Sequence, residues 1–391
     1  MTELPPADWT RRADLAALVA ALGPGQARYV GGAVRDTLLG LPVKDIDMAT
    51  PLRPDAVMER LAAAGIRTVP TGIEHGTVTA LLPGGPVEIT TLRRDVSTDG
   101  RRATVAFAEA WHEDAGRRDF TINALYADPD SGRIHDWFDG LADLAARRVR
   151  FIGAARERIR EDHLRILRYF RFQARFGSLP PDAEAEAEAA CAELAPTLKG
   201  LSRERVAMEL LNLLALPDPT PTVQRMADLG VLAVILPEAD PAPLARLTAT
   251  ERREQVAPDP LRRLAALLPA DPPLVDQVGA RLRLSTAQRK RLAAAAGRDP
   301  ADPATPRALA YRLGLTEATD RLLLAGGSVA ALTGWDVPRL PLKGGDIVAR
   351  GIGAGPEVAR VLRAVEAKWL AEDFPGPERV RELLEAVLAA R

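Results

Sequence analysis

The stretch Arg28-Tyr29-Val30-Gly31-Gly32-Ala33-Val34-Arg35-Asp36, with Asp45-Ile46-Asp47 close behind it, decides how this chain is read. Residues 28–31 and 45–49 have strand character and flank a short helix over 34–39. Gly31-Gly32 ends the first strand and opens that helix. Glycines let a polyphosphate approach the backbone, and free N–H groups at a helix start favour anions. Strand alternation puts Asp45 and Asp47 on one face, with Ile46 toward the core. Two carboxylates side by side repel unless a cation sits between them, and hard oxygen ligands suit Mg²⁺. Taken singly, each feature also fits something ordinary: a tight turn, or an exposed strand end.

Outward from this stretch the pattern stays mixed, then changes. Residues 54–64 read as a helix. Residues 75–82 and 87–92 read as strands divided by the turn cluster Pro83-Gly84-Gly85-Pro86. Glu88 lies between Val87 and Ile89, so it faces away from them. It is either a third carboxylate of the Asp45 and Asp47 cluster or a solvent-facing strand residue. From residue 154 onward helices alternate with proline-rich connectors such as Pro217-Asp218-Pro219. Ser285-Thr286-Ala287-Gln288 has the spacing of a capping box, and Gly297 suits the end of that helix. The expected fold is therefore α+β, a mixed α/β head followed by an all-helical remainder.

Composition narrows the function. The 391 residues carry 47% hydrophobic and 27% charged side chains, as in a soluble globular protein of two or three domains. No apolar run approaches a membrane span, and the start MTELPPADWT lacks the pattern of a signal peptide. The one cysteine, Cys191, forms no internal disulfide, which fits a reducing cytoplasm; it reads as a packing residue rather than a nucleophile. The net charge of −1 means that nucleic-acid binding must use local patches. The four histidines, His75, His112, His135 and His163, exclude a His-Asp metal hydrolase from the C-terminal half.

The order Gly-Gly, short helix, Asp-x-Asp, then a carboxylate on a later strand resembles the palm of the polymerase-beta type nucleotidyltransferases. The string from Val30 to Asp36 with Asp45-Ile46-Asp47 is similar to the head of the bacterial class II group, which contains CCA-adding enzymes and bacterial poly(A) polymerases. Further motifs carry the same resemblance. Arg117-Arg118-Asp119-Phe120-Thr121-Ile122-Asn123-Ala124 matches the family segment that holds ribose and triphosphate. Asp136-Trp137-Phe138-Asp139-Gly140 resembles the hinge-like segment between head and neck. Glu161-Asp162-His163-Leu164-Arg165, with Arg168-Tyr169-Phe170-Arg171-Phe172 after it, is similar to the neck helix. Ser202-Arg203-Glu204-Arg205, with Glu209, resembles the helix that braces it. The resemblance covers about residues 25–215, with a weaker likeness at Lys343-Gly344-Gly345-Asp346 and Gly355-Pro356.

The resemblance implies a head over 1–148, a neck over 149–215 and a tRNA-binding body and tail over 216–391. It implies addition of C, C and A to a tRNA lacking its 3′ CCA end, from CTP and ATP, by two-metal nucleotidyl transfer with Mg²⁺. Asp45, Asp47 and Glu88 are the expected metal ligands and catalytic residues. Gly31, Gly32, Arg35, Arg118, Asp119, Asn123, Asp162, Arg165 and Arg168 are the expected nucleotide contacts. No membrane and no obligate protein partner are expected, and the expected location is cytoplasmic. A poly(A) polymerase or a CC-adding enzyme is the alternative.

Base choice has a chemical rationale. C and A carry an exocyclic amine beside a ring-nitrogen acceptor, whereas U and G present a carbonyl beside a protonated ring nitrogen. A carboxylate and a guanidinium that match the first pair mismatch the second, and a buried mismatch is costly. The resemblance gives this role to Asp162 and Arg165, which the spacing i, i+3 puts on one helix face. The ordinary reading of that spacing is a salt bridge between them. Arg165, Arg168, Arg171 and Arg175 form a stripe, either a solvated face or a contact for RNA phosphates. The basic run Arg289-Lys290-Arg291 is open to the same two readings. Residues 93–104, RRDVSTDGRRAT, look like the flexible loop of CCA-adding enzymes.

Overall fold

The computed structural model describes residues 2–98, 103–178 and 185–390, and the chain divides into two compact units, Met1–Pro237 and Glu238–Arg391.

Among its described residues the first unit is built on nine strands: β1 (Arg28–Val30), β2 (Ile46–Thr50), β3 (Thr68–Gly72), β4 (Thr77–Leu82), β5 (Gly85–Thr91), β6 (Arg93–Thr98), β7 (Ala103–Phe107), β8 (Tyr126–Ala127) and β9 (Ile134–His135). Seven form one sheet in the order β3-β4-β5-β2-β1-β8-β9, in which only β2 and β5 run parallel. The residue alternation sets its two faces: Ile46, Met48, Val87 and Ile89 are buried, whereas Asp47 is half-buried and Glu88 exposed. The helices of this part are α1 (Ala13–Leu22), α2 (Gly32–Leu38), α3 (Pro54–Ala63), α4 (Trp111–Gly116) and α5 (Gly140–Ala145). Helix α3 packs on β3, β4 and α1. Helix α4 supplies Ala115 to a second small core with Val30, Ala49, Leu92 and Tyr126.

The stretch expected as a loop over 93–104 is a correction. β6 and β7 pair antiparallel, with a register shift between Asp95 and Ser97. Val96, Thr98, Thr104 and Val105 have strand propensity, which the surrounding charges obscured. Residues 99–102 of that stretch lie outside the described residues.

Helices follow: α6 (Ala155–Glu161), α7 (Arg165–Phe176), α8 (Ala185–Leu194), α9 (Arg203–Leu214), α10 (Thr220–Asp228) and α11 (Val231–Ile235). Helix α7 buries Ile166, Leu167, Tyr169, Phe170, Phe172 and Phe176. Its aromatic rings meet those of the preceding segment: Phe120 lies 5.0 Å from both Phe151 and Phe172, and Phe151 stacks on Tyr169 at 5.6 Å. This apolar seam is why sheet and neck helices form one unit. Ser202 caps α9, which packs on α7.

The second unit is all-helical: α12 (Ala242–Arg253), α13 (Pro260–Leu267), α14 (Pro272–Arg281), α15 (Thr286–Ala296), α16 (Pro306–Leu313), α17 (Leu315–Leu324), α18 (Gly344–Val348), α19 (Pro356–Ala371) and α20 (Pro377–Ala389). The capping box at Ser285 and Gln288 is formed, and Gly297 closes that helix. Val361, Val365, Trp369, Val380, Leu383 and Leu384 form the core under the last two helices. Among the described residues no helix is long and apolar enough to cross a membrane.

Candidate active site

Gly31 ends β1 with φ +68°, a conformation that favours glycine, and an added Cβ would lie 3.3 Å from Arg118 Nη1. The turn thus admits Arg118 against the start of α2. On the neighbouring strand Asp47 is the register partner of Glu88, so the two carboxylates stand side by side on one face. Asp45 does not join them within the sheet. It precedes β2, in the connecting segment, and is exposed. Among the described residues no three histidine, cysteine or acidic side chains are gathered into a metal cage. The sheet register joins Asp47 to Glu88, and the expected third carboxylate, Asp45, stands just outside the ladder.

Electrostatics still single out this corner. Burial pushes the Asp47 carboxyl up, Glu88 and Asp45 push it further, and Arg118 opposes them. Carboxylates that oppose one another's ionisation in this way are hard oxygen donors that fit a divalent cation. Asp45 and Asp47 line a cavity of about 480 Å³ with Gly32, Arg35, Asp36 and Lys44. The wall opposite comes from the neck, as Arg171, Arg175 and Asn212.

The segment from Arg117 to Asn123 is tied from several sides. Asp114, on α4, accepts from Arg117 at 2.9 Å, Arg118 at 3.3 Å and the Tyr126 hydroxyl at 2.5 Å. Burial works to raise the Asp114 carboxyl, but Arg118, Arg117 and the Tyr126 hydroxyl overcome it and hold it at about 2. Asp119 accepts from Asn123 at 2.9 Å and from Arg168 at 2.6 Å. These partners outweigh its burial and keep its carboxyl well below the usual range. Asn123 accepts from Arg35 through its side-chain oxygen. Four expected nucleotide contacts, Arg35, Asp119, Asn123 and Arg168, thus form one connected chain. Farther on, Asp136 accepts from the N–H groups of Gly140 and Leu141 at the start of α5, both at 2.9 Å. Gly140 passes so close to the Thr121 carbonyl that an added Cβ would sit 2.3 Å from its oxygen.

The neck corrects two expectations. Asp162 and Arg165 do not share a helix face, because α6 ends at Glu161 and α7 begins at Arg165. Asp162 has an extended backbone and accepts from the Leu164 N–H at 3.1 Å. It pairs with Arg205 of α9 at 2.9 Å, while Arg165 pairs with Glu161 at 2.5 Å and donates to the Arg117 carbonyl at 3.1 Å. The stripe is not a plain solvated face either. Arg168 binds Asp119, Arg171 binds Glu209 at 2.6 Å and Arg175 binds Asp36 at 3.0 Å. Asp36, Asp114, Glu209 and Arg205 thus matter to the site without having been assigned to it from sequence. The partners of Glu209 and Arg205, and the Arg175 that Asp36 meets, lie far away in the chain; Asp114 is bound by its near neighbours Arg117 and Arg118, and Asn212 carried no signal at all.

A sheet that sets two carboxylates in register beside a glycine turn, facing a neck helix lined with arginines, defines a nucleotidyltransferase head. Residues 27–150 match the family described as "Poly A polymerase head domain", and residues 183–242 the one described as "Probable RNA and SrmB- binding site of polymerase A". The chain is 37% identical over 363 residues to the mitochondrial CCA tRNA nucleotidyltransferase 1 of Mus musculus, covering 88% of this chain and 82% of that one. It is 47% identical over 194 residues to a CCA-adding enzyme of Streptococcus pyogenes serotype M2, covering 49% of this chain and 46% of that one. A Bacillus stearothermophilus CCA-adding enzyme solved in complex with CTP superposes with a TM-score of 0.75 at 29% identity, over 96% of this chain and 98% of that one. The chain belongs to the class II CCA tRNA nucleotidyltransferase family. Nucleotidyltransferases of this family generally use divalent metal ions.

Proposed function

We propose that this enzyme adds C, C and A to the 3′ end of tRNA, using CTP and ATP and releasing pyrophosphate, as the names of its relatives state for them. The observation that carries the reading is the register pair Asp47 and Glu88, of which Asp47 lines, with Asp45, a cavity that the neck arginines Arg171 and Arg175 also line. The head is assigned to residues 1–148, the neck to 149–215 and the tRNA-binding body and tail to 216–391. The location is the cytoplasm, in keeping with one buried thiol, Cys191.

The RNA 3′-oxygen attacks the α-phosphorus, the bond to the bridging oxygen of pyrophosphate breaks, and the hydroxyl proton passes to solvent. Asp45, Asp47 and Glu88 would hold Mg²⁺, which when bound would lower the pKa of the attacking hydroxyl and neutralise charge on the leaving group. Gly31 and Gly32 let the triphosphate approach the backbone. Arg118, 3.3 Å from the Cβ position of Gly31, faces the same phosphates. Arg35, Asp119, Asn123 and Arg168 place the ribose and triphosphate. Asp162 accepts the exocyclic amine of C or A, and Arg165 donates to the neighbouring ring nitrogen.

The test is incubation with a tRNA transcript lacking CCA, Mg²⁺ and each labelled triphosphate, followed by sequencing of the product. Extension by CCA alone is expected. A run of A residues, or a stop at CC, would replace this reading with a poly(A) or CC-adding enzyme.

A further inference from the structure

The cavity that holds Asp45 and Asp47 also holds a buried carboxylate to which the proposed reaction gives no task. Asp36 is 7% exposed. Its Oδ1 accepts from Arg35 Nε at 2.7 Å, and its Oδ2 accepts from Arg175 Nη2 at 3.0 Å, across 139 residues. Arg35 is fixed on its other side by Asn123, and its guanidinium lies 4.1 Å from the Phe176 ring centre. Arg175 stands at the last turn of α7, over the same ring at 4.8 Å, with its side chain 37% exposed.

A third negative charge beside Asp45 and Asp47 works against the entry of an anionic substrate. Paired with two guanidiniums, it instead keeps positive charge on the wall. The two partners differ. Arg35 is locked by Asp36, Asn123 and two aromatic rings. Among the described residues Arg175 has one carboxylate partner, and its side chain is partly open, so it is the partner that can turn to a ligand. A guanidinium fork fits phosphate oxygens as it fits a carboxylate.

We propose that Asp36 is a positioning residue for the triphosphate tail: it holds Arg35 in place and stores Arg175 on the cavity wall, from which Arg175 turns to the β- and γ-phosphates of the incoming nucleotide. This rests on the reading of Asp45 and Asp47 as the reacting centre. Arg175 touches only phosphates that every triphosphate shares. It therefore sets binding of CTP and ATP alike, binds the pyrophosphate product through the same oxygens, and has no part in base choice.

Arg175→Met in the full chain tests this by steady-state kinetics on tRNA substrates ending one nucleotide short of C and of A. KM for CTP and for ATP should each rise about tenfold, the loss of one charge-assisted hydrogen-bonded contact. The kcat should stay within about twofold, and the ratio of CTP to UTP use should not move. Inhibition by added pyrophosphate should weaken by the same factor as KM, and Arg175→Lys should recover part of the loss. Asp36→Asn should move KM in the same direction, and the double variant should be no worse than the worse single one, because the two residues act as a unit. An unchanged KM for both nucleotides in Arg175→Met overturns the proposal, even if thermal stability falls, and so does a change confined to base selectivity. If Asp36→Asn fails to fold, Arg175→Met decides, because it removes the exposed member of the pair. Failure of the underlying reading shows separately, as Mg²⁺-dependent incorporation by Asp47→Ala.

Discussion

The Asp162 carboxylate takes its hydrogen bond from Arg205, 43 residues farther along the chain, at 2.9 Å, while Arg165 turns to Glu161. Both side chains are therefore held by partners outside the pair, and neither neutralises the other. That is the arrangement two separate hydrogen-bonding groups need if they are to meet two adjacent atoms on a base edge. Asp162→Ala should weaken use of CTP and ATP and lower the ratio of CTP to UTP incorporation by about tenfold or more, since a mismatched polar contact is worth roughly 1–3 kcal/mol. Arg205→Met, which frees Asp162 without removing it, should lower the same ratio by less. Single-nucleotide incorporation with each triphosphate measures both. An unchanged ratio in Asp162→Ala would leave that residue an inter-helix tie and nothing more.

The register pair Asp47 and Glu88 makes a different kind of prediction. A carboxylate that serves metal ions acts on the chemical step and not on RNA binding. Asp47→Ala should cut incorporation by about a thousandfold or more, because the charge stabilisation supplied by a bound metal is worth several kcal/mol. Its affinity for tRNA, read by filter binding, should stay within about twofold. A comparable fall in both quantities would move Asp47 from the metal site to the RNA contact surface.

Most of the fold was legible because its signals are local. The strands β1, β2, β4 and β5, the turn at Gly84-Gly85 and the capping box at Ser285 depend on residues within a few positions of one another, whereas the short strands β3, β8 and β9 were not read from the sequence. Tertiary pairing was not legible. Asp36 meets Arg175 across 139 residues and Asp119 meets Arg168 across 49, so an arginine stripe that looks free in sequence is bound to carboxylates. The break between α6 and α7 was hidden for another reason. No glycine or proline marks it; Asp162 ends the helix by bonding the Leu164 N–H. Periodicity alone carried the helix straight through Asp162.

Asp114 connects the site to acid stability. Its folded carboxyl sits near 2, below the ordinary 3.8, so it adds stability that is fully present above about pH 4. That stability is lost as the pH falls from about 4 toward 2. The size is on the order of 2 kcal/mol, since each pKa unit corresponds to ~1.4 kcal/mol. Asp119 acts in the same direction. Urea unfolding of the wild type should therefore weaken steeply across this window, and Asp114→Asn should show a shallower slope there. Parallel slopes for the two proteins would mean that Asp114 does not carry the effect.

The run Arg289-Lys290-Arg291 separates stability from RNA binding. Arg289 pairs with Asp276 at 2.7 Å, and Arg291 pairs with Asp320 at 2.7 Å and Asp259 at 2.8 Å. Asp320 is 1% exposed and also binds Arg262, so Arg291 belongs to a buried ionic network. Arg291→Met should lower stability by about 1–3 kcal/mol while changing the affinities for tRNA and for an acceptor minihelix equally. Lys290 is exposed. On the proposal that the basic tail binds the elbow of the L-shaped tRNA, Lys290→Glu should weaken tRNA binding and spare the minihelix, which has no elbow. Competition binding with the two RNAs distinguishes these outcomes, and equal loss for both in Lys290→Glu removes the elbow contact.

The ribbon of β6 and β7 raises the question of how the proposed Asp162 and Arg165 pair would serve a pyrimidine twice and then a larger purine. Some element must adjust as the RNA grows. The ribbon leaves the sheet directly after β5, the strand of Glu88, and its ladder shifts register between Asp95 and Ser97. A register shift of this kind bends a ribbon and increases its twist, which gives it a defined direction in which to act on the neighbouring strand. The two strands pair from Arg93 and Phe107 onward, and we propose that this ribbon is the element that adjusts, acting as a lever. Shortening the segment between Ser97 and Thr104 should preserve addition of the two C residues and impair the final A by about tenfold or more, a difference of ~1.4 kcal/mol between the two steps. Product lengths on a sequencing gel, with CTP and ATP supplied together, read this directly: the shortened variant should accumulate RNA ending in CC. Completion of CCA at the wild-type rate would refute the lever. A fall in C and A addition by the same factor would instead make the ribbon a support for the Glu88 strand.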